Sequence, residues 1–288
     1  MQDHKFSFMV TLDFANWPPE KVAHDLSSIG YNGVEWTVSH WDPDRDPVSK
    51  LAEIVKITEK YGMKVSEFNV QRDLVTKPKE VRMRHSMNTV KCIERAAEVG
   101  IDGINVITGP ASWLPEHLTI NSDISEGEAW EIFTEAFDPI LEAAEKNHVY
   151  LNLEAVFGNL CRDYYSTVEL MRRFPSKWLA LNFDPSHYLL YHNDISWCIK
   201  QWGSKIRHVH MKDVVGTLGV QDRDFIFPLL GEGMMDWPSF FSALANIGYS
   251  GFYSVEYESM KYYEKILKND PVRAAKLSFE QLLALSPS

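Results

Sequence analysis

The sequence feature that most constrains the fold is an alternation of short β-rich segments with longer helical segments, repeated eight times. The predicted strands cover residues 6–12, 33–38, 64–70, 103–108, 149–156, 179–184, 206–212 and 251–257. Helical periodicity fills the intervals 19–29, 47–61, 81–99, 126–146, 164–174, 195–203, 237–247 and 271–285. Alternation with short connections indicates a parallel sheet, and eight units indicate a closed one. We therefore predict one α/β domain over residues 1–288, a (β/α)8 or TIM barrel.

The alternative to a closed barrel is an open, doubly wound sheet. That fold favours a glycine-rich phosphate loop after the first strand, and the segment TLDFANWPP contains no glycine. Glycines at positions 30, 62, 100 and 248 lie where predicted helices end, and there we expect left-handed C-caps. The longest irregular stretch runs over 214–235, and a loop of that length inside a domain is usually functional, often as a lid.

Composition narrows the location and the partners of the chain. The net charge is −11, which repels phosphate backbones, so we expect no nucleic-acid partner. The three cysteines are far apart in sequence, which favours a reducing compartment over a disulfide framework. We recognise no signal peptide, and no apolar run approaches the roughly 18 residues of a membrane helix. The expected location is the cytoplasm, without membrane association.

Polar residues on the last four predicted strands break the usual rule that the inside of a barrel is apolar. Alternate side chains of a strand share one face. The polar residues that share a face are Asn152 with Glu154, Asn182 with Asp184, His208 with His210, and Ser254 with Glu256 and Glu258. Catalytic groups of TIM barrels lie at the C-terminal ends of the strands, so we expect these residues to converge there.

Four of these residues form a predicted metal site. Glu154, Asp184, His210 and Glu256 lie near the ends of four successive strands. Three carboxylates cannot be buried together without compensating positive charge. A single divalent cation supplies that charge, and mixed oxygen and nitrogen ligands make Mn²⁺ the first expectation, with Co²⁺, Mg²⁺, Fe²⁺ and Zn²⁺ as alternatives.

At these residues the chain resembles the xylose isomerase-like barrel superfamily, which includes sugar phosphate isomerases/epimerases and ketose 3-epimerases. The resemblance covers nearly the whole chain and is carried by the segments LNLE, FDPSH, HVHMKD, LLGEGMMDW and GYSGFYSVEYE. It implies that Glu154, Asp184, His210 and Glu256 bind the metal and that His187 contacts substrate hydroxyls. It also implies a small carbohydrate substrate. Homo-oligomers are common in that superfamily, which leaves self-association open for this chain.

The chain departs from the superfamily at positions that bear on the substrate. Ketose 3-epimerases carry an arginine a few residues beyond the histidine of strand seven, where this chain has Val214, Val215 and Gly216. The nearest arginine is Arg223. An acidic residue expected after the glutamate of strand five is replaced by Gly158. The two-metal site of true xylose isomerases is not evident either, so the resemblance does not identify the sugar or its phosphorylation state.

The predicted reaction is proton abstraction next to a carbonyl, through a metal-stabilised enediolate. Glu154 and Glu256 are the expected pair of acid–base residues. Epimerisation follows if both reach one carbon from opposite faces, and isomerisation follows if one moves the proton between neighbouring carbons. Loss of a β-substituent would instead give elimination, as for a keto-glycoside. The sequence leaves these outcomes open.

Further residues are candidates for the wall of the site. The predicted substrate contacts are His187, His208, Lys212, Trp113 and Arg223. Aromatic residues after strand two are candidates for an apolar wall, namely Trp36, Trp41 and the neighbouring His40. We also expect Glu35 and Asn69 near the mouth of the barrel.

Two other functions are possible on a barrel of this kind. An AP endonuclease of the endonuclease IV type needs additional histidines at the ends of strands three and four, and the segments EFNVQ and INVITG contain none. The acidic net charge also disfavours DNA binding. A non-catalytic sugar-binding barrel is the other alternative, but a binding protein needs no pair of carboxylates about a metal.

Overall fold

Eight parallel strands close into a barrel in the computed structural model, which describes residues 4–114 and 116–287. The barrel strands are β1 (Lys5–Met9), β2 (Gly33–Thr37), β3 (Lys64–Asn69), β4 (Gly103–Val106), β5 (Tyr150–Glu154), β6 (Leu179–Phe183), β7 (Ile206–Met211) and β8 (Phe252–Val255). Each strand pairs with its neighbours along the chain, and β1 closes the barrel against β8, with Lys5 opposite Phe252 and Phe8 opposite Val255. The predicted TIM barrel is confirmed.

The helices lie outside the barrel and follow the predicted intervals. They are α1 (Pro19–Ile29), α2 (Val48–Lys60), α3 (Lys79–Glu98), α4 (Glu126–Asn147), α5 (Tyr164–Arg173), α6 (Pro185–Leu190), α7 (Ile195–Trp202), α8 (Trp237–Asn246), α9 (Met260–Tyr262) and α10 (Pro271–Leu285). Short 3₁₀ segments cover Leu12–Asn16 and Gly203–Lys205, and a π turn covers Tyr263–Leu267. Within the described part of the chain, no helix combines the length and the apolar character that crossing a membrane requires.

The helices differ from the sequence prediction in one respect and agree with it in another. Helix α6 was not predicted, because its six residues are too few to show periodicity; it begins at Pro185, and the Asp184 side chain accepts a hydrogen bond from the Ser186 backbone N–H at 2.8 Å. The expected left-handed turns are present, since all four glycines named above have positive φ angles. The sequence therefore predicted the turns and the long helices, but not the short helices α6 and α9.

Burial differs between the two faces of the strands. The side chains directed at the helices are apolar and buried, for example Phe8, Leu153 and Val209. The side chains directed into the barrel include buried polar groups at several levels: Ser7, Glu35, Glu67, Asn105, Asn152, Asn182, His208 and Ser254. The apolar layer between strands and helices is therefore the main core. The interior of the barrel serves instead as a polar network beneath the C-terminal end.

The segment 214–235 is anchored by one buried carboxylate at its base. It contains a small antiparallel hairpin, with Val215–Gly216 paired to Phe225–Ile226. Asp213 is buried and accepts five hydrogen bonds of 2.9–3.2 Å, from the backbone N–H groups of Val214, Gly231, Gly233 and Met235 and from Nε1 of Trp237. A Cβ atom at Gly233 would lie 2.0 Å from the Asp213 carboxylate, so this approach requires glycine.

We expect Asp213→Ala to lower the free energy of unfolding by about 3 kcal/mol, because it leaves several buried N–H groups without an acceptor. Asp236→Ala is the control: Asp236 caps α8 at the exposed surface through the Ser239 N–H, and its loss should cost about 1 kcal/mol. Guanidinium unfolding measures both. Equal losses for the two variants would show that Asp213 does not anchor the loop.

Candidate metal centre and active site

A cavity of 430 Å³ opens at the C-terminal end of the barrel, where catalytic groups of this architecture lie. Its lining includes Gln71, Trp113, Glu154, His187, Lys212 and Glu256. Each of these residues ends a barrel strand or belongs to a segment that follows one. The fold therefore gathers into one cavity residues that are far apart in sequence.

Three predicted metal ligands converge at the floor of this cavity together with a predicted substrate contact. One ligand atom from each of Glu154, Asp184, Glu256 and His187 can be chosen so that all four lie within 4.8 Å of one another, and all four residues are buried. Glu154 ends β5, Asp184 follows β6 and Glu256 follows β8. His187 lies one helical turn beyond Asp184, on α6.

The fourth predicted ligand, His210 on β7, is fully buried beside this group. Its Nδ1 lies 3.2 Å from Glu154 Oε1 and 3.2 Å from Glu256 Oε2. Its Nε2 lies on the opposite side of the ring, 3.1 Å from both carboxylate oxygens of Glu35. The imidazole thus presents one nitrogen to the predicted metal site and the other to the interior of the barrel.

Lys212 lies between the carboxylates of the site. Its Nζ is 2.9 Å from Asp184 Oδ2, 2.5 Å from Glu256 Oε2 and 3.1 Å from His187 Nε2. The side chain is only 3% exposed. Its ammonium group compensates part of the buried negative charge and is a hydrogen-bond donor at the floor of the cavity.

Two amide side chains fix the orientation of Glu154. Gln71 Nε2 and Asn105 Nδ2 donate to Glu154 Oε2 at 2.9 and 3.1 Å, while Oε1 faces His210. Sequence reasoning did not single out either amide. The available signal was their position, since Gln71 follows β3 and Asn105 lies on β4, close to the end of the barrel that carries the site.

The site has strongly perturbed protonation equilibria. Burial opposes charge on His210, but the carboxylates of Glu35, Glu154 and Glu256 outweigh it and raise the pKa of the imidazole well above its ordinary value. Burial likewise opposes ionisation of Glu154, but His210 and His187 outweigh it and hold the pKa of that carboxyl well below its ordinary value. At Glu256, burial prevails over Lys212 and the pKa is raised.

The donor set fits a divalent cation. Asp184 Oδ2 is buried and accepts no well-directed hydrogen bond, although the Lys212 ammonium is near it. The carboxyls of Glu154, Asp184 and Glu256 meet beside the Lys212 ammonium and the imidazoles of two histidines. Burial of excess negative charge is costly, and a cation held by carboxylate and imidazole removes that cost.

The remaining predicted substrate contacts lie at different depths. Trp113 lines the cavity and is half-exposed. His208 lies beneath the site, buried, with its Nε2 3.1 Å from Glu35 Oε2. Arg223 is exposed on the 214–235 loop and pairs with Asp224 at 2.7 Å, and it does not line the cavity.

The expectations for the residues of strands two and three were wrong in position. Glu35 and Asn69 lie buried inside the barrel rather than at its mouth, and Asn69 Nδ2 is 3.4 Å from Glu35 Oε1. The expected aromatic wall is part of the core instead. Trp36 donates to Thr58 Oγ1 of α2, Trp41 donates to the Pro47 carbonyl, and His40 contacts the Phe14 carbonyl. Trp36 lies on β2 itself and faces α2, while His40 and Trp41 follow β2 and are buried against neighbouring backbone.

Comparison with known proteins agrees with this architecture. The family described as "Xylose isomerase-like TIM barrel" matches residues 23–283. An uncharacterised protein of Bacillus subtilis (strain 168), YfiH, is 23% identical over 87% of this chain and 92% of its own length. Inosose dehydratase of Mesomycoplasma hyopneumoniae (strain 7448) is 29% identical over 41% of this chain, and the match spans only 42% of the dehydratase.

Solved structures of low sequence identity share the fold. The structure of IOLI with a bound zinc atom has a TM-score of 0.75 and 18% identity, with 98% of this chain and 97% of that chain covered. The 3-keto-D-glucoside 4-epimerase YcjR of E. coli has a TM-score of 0.73 and 16% identity, with 98% and 99% covered. With its closed barrel and a family match over most of its length, the chain belongs to the xylose isomerase-like TIM barrel family.

Proposed function

We propose that the protein is a divalent-metal-dependent carbohydrate isomerase or epimerase that removes a proton from the carbon next to a substrate carbonyl. The observation that carries this proposal is the convergence of two buried carboxylates, Glu154 and Glu256, on one cavity beside Asp184 and His210. The pair matches what acid–base chemistry at a carbon centre requires.

Glu154, Asp184, His210 and Glu256 are the proposed ligands of a single ion. A divalent ion bound there would polarise a carbonyl and a neighbouring hydroxyl group, which makes the adjacent C–H bond more acidic. Mn²⁺ remains the first candidate on the chemistry of the ligand set. The zinc atom in the IOLI structure supports a divalent ion in this fold and makes Zn²⁺ the main alternative.

In the proposed mechanism Glu154 is the base. It is the carboxyl whose pKa is lowered, and Gln71 and Asn105 fix its Oε2. When the C–H bond breaks, its electron pair is delocalised onto the carbonyl oxygen and the proton passes to the Glu154 carboxylate. Glu256, whose pKa is raised, then delivers a proton to the same carbon from the opposite face, which inverts it. Delivery to the former carbonyl carbon gives isomerisation instead, provided that the hydroxyl proton of the first carbon passes to the former carbonyl oxygen, which leaves a carbonyl group on the first carbon.

The remaining cavity residues bind the substrate in this proposal. His187 and Lys212 present hydrogen-bonding groups at the cavity floor, 3.1 Å apart, and would hold sugar oxygens. Trp113 and Phe157 form an apolar wall, with the Phe157 ring 5.6 Å from that of His187. An apolar wall suits the C–H face of a sugar ring and excludes water from the reacting carbon. His208 and Arg223 stay more distant candidates for substrate binding.

Dehydration is the second candidate function, and the similarity to inosose dehydratases favours it. It would begin with the same proton transfer to Glu154. The electron pair of the broken C–H bond would then form a C=C bond as the C–O bond on the next carbon breaks. The leaving hydroxyl takes a proton from an acid such as Lys212 or His187 and departs as water.

Incubation in D₂O distinguishes the candidates. The protein, loaded with Mn²⁺ or Zn²⁺, is incubated with ketoses, keto-sugars, keto-inositols and sugar phosphates, and products are followed by NMR and mass spectrometry. Deuterium in an otherwise unchanged or epimeric sugar supports isomerisation or epimerisation. A product that has lost one water supports dehydration. Metal binding without exchange or elimination on any compound would support the sugar-binding alternative.

Glu154→Gln should lower the rate of deuterium exchange by about 100-fold or more, because the amide cannot accept the proton. Glu145→Gln is the matched control, since Glu145 is exposed on α4, far from the cavity lining, and it should leave the rate unchanged. Exchange in the Glu154 variant at the parent rate would remove Glu154 from the mechanism.

Metal affinity should increase as pH rises. The raised pKa of His210 favours a proton on Nδ1 in the metal-free site, and an ion must displace that proton to bind there. Binding therefore releases a proton, and the affinity falls as the pH decreases. Titration calorimetry in two buffers of different ionisation enthalpy measures the proton released. An affinity independent of pH between about 6 and 8 would contradict ligation by His210.

Lys212→Met should tighten metal binding by about 10-fold, since an ammonium that competes for Asp184 and Glu256 oxygens is removed, a gain of roughly 1.4 kcal/mol. The same variant should lose turnover if Lys212 holds or protonates a substrate oxygen. Lys200→Met, at an exposed position of α7, is the control. Weaker metal binding in the Lys212 variant would mean that the lysine orders the carboxylates instead of competing for them.

A further inference from the structure

A second group of buried titratable side chains lies beneath the proposed metal site, and apart from His210 its members take no part in the proton transfers proposed above. It consists of Glu35 on β2, Glu67 on β3, and His208 and His210 on β7, with ligand-type atoms within 4.8 Å of one another. All four are buried. His210 belongs to both groups, because its two ring nitrogens face in opposite directions.

Glu35 is the centre of this lower group. Its carboxylate crosses the barrel from β2 to β7 and lies 3.1 Å from the Nε2 atoms of both His208 and His210. Ser254 Oγ donates to its Oε2 at 2.6 Å. A fully buried carboxylate is destabilising unless donors surround it, and these three groups provide that surrounding.

The contact with Glu35 determines which nitrogen of His210 carries the proton when the ring is neutral. An ionised carboxylate only accepts hydrogen bonds, so the adjacent Nε2 must be the N–H. The lone pair is then on Nδ1, which faces Glu154 and Glu256. The structure places Asn182 Nδ2 3.0 Å from Nε2, so this tautomer requires the amide to be flipped, which brings its otherwise unpartnered oxygen to the ring N–H.

The alternative interpretation is that the lower group binds a second metal ion. It is disfavoured because most of the ligand atoms are already paired. Both oxygens of Glu35 contact histidine nitrogens, and Glu67 Oε1 accepts a hydrogen bond from Asn152. Glu67 Oε2 is the one carboxylate oxygen of this group that has no hydrogen-bond partner.

We propose that Glu35 is a positioning residue, which holds His210 in the tautomer and orientation that direct Nδ1 at the metal site. The proposal rests on the proposed function, since it assumes that His210 is a ligand. Mutation of a carboxylate that hydrogen-bonds a ligating histidine typically weakens metal binding by about 10- to 100-fold. Glu35 would therefore act on the ion through His210, without touching the ion or the substrate.

The test compares two isosteric variants of the full-length protein. Glu35→Gln removes the charge that contacts His210 Nε2, and we expect Mn²⁺ and Zn²⁺ to bind at least about 10-fold more weakly, still with one ion per chain. Glu67→Gln is the matched control. This variant removes a buried carboxylate of the same group, whose Oε2 lies 3.8 Å from His208 Nε2 and which does not contact His210. We expect it to change the metal affinity by less than about 3-fold, well below the effect of removing a direct partner of a ligand.

A second measurement uses the parent protein alone, so it does not depend on whether a variant folds. In the zinc-loaded parent protein labelled with ¹⁵N-histidine, Nε2 of His210 should retain its proton and Nδ1 should show the chemical shift of a metal-bound nitrogen.

Ser254→Ala, which removes only one donor to Glu35, should weaken metal binding by a smaller factor than Glu35→Gln. Thermal unfolding of the metal-free variants reports whether each is folded.

Several outcomes would overturn the inference. Equal affinity in Glu35→Gln and the parent would do so, as would an equal loss in Glu67→Gln, which would indicate a general effect of buried charge. A Zn²⁺-bound Nε2 in the NMR spectrum would also exclude it. Two ions in the parent and one in Glu67→Gln would establish a lower metal site instead. A parent protein that binds no ion would overturn the proposed function itself, and the inference with it.

Discussion

The contacts of the His210 imidazole tie together both halves of the barrel interior. One nitrogen lies 3.2 Å from Glu154 and Glu256, and the other lies 3.1 Å from Glu35. Buried carboxylates on both sides raise the pKa of the ring, and the ring in turn makes their burial tolerable. A buried charge without a partner is costly. The mutual compensation of charge between the imidazole and these carboxylates is therefore the constraint on which the arrangement of the site depends.

The polar interior depends on the apolar layer outside it. Side chains that face the helices, such as Phe8, Leu153 and Val209, supply the hydrophobic burial that the barrel interior does not. Apart from Ser7, whose hydroxyl has no hydrogen-bond partner among the described residues, the inward polar side chains are held by partners from other strands, as Asn152 is by Glu67. Because the outer layer supplies this burial, the barrel can hold three carboxyls at its C-terminal end, those of Glu154, Asp184 and Glu256, and a fourth, Glu35, in its interior.

Much of the fold and the outline of the site could be predicted from the sequence, because both depend on local periodicity. Alternation of strands and helices predicted the barrel, and the two-residue period of a strand placed Asp184 and His210 on inward faces. Contacts across the barrel have no such signal. Glu35 was expected at the mouth, yet it lies inside the barrel against residues 173 and 175 positions away. Gln71 and Asn105, which hold Glu154, were missed for the same reason.

The sequence by itself determined the architecture and which residue types end the last four strands, since these follow from the period of the chain. Only the tertiary structure decided how those residues meet. It set Lys212 among the carboxylates, directed Nδ1 of His210 toward Glu154 and Glu256, and moved Arg223 to an exposed ion pair with Asp224. Strand register and the closure of the barrel fix these distances, and both arise from packing between segments far apart in the chain.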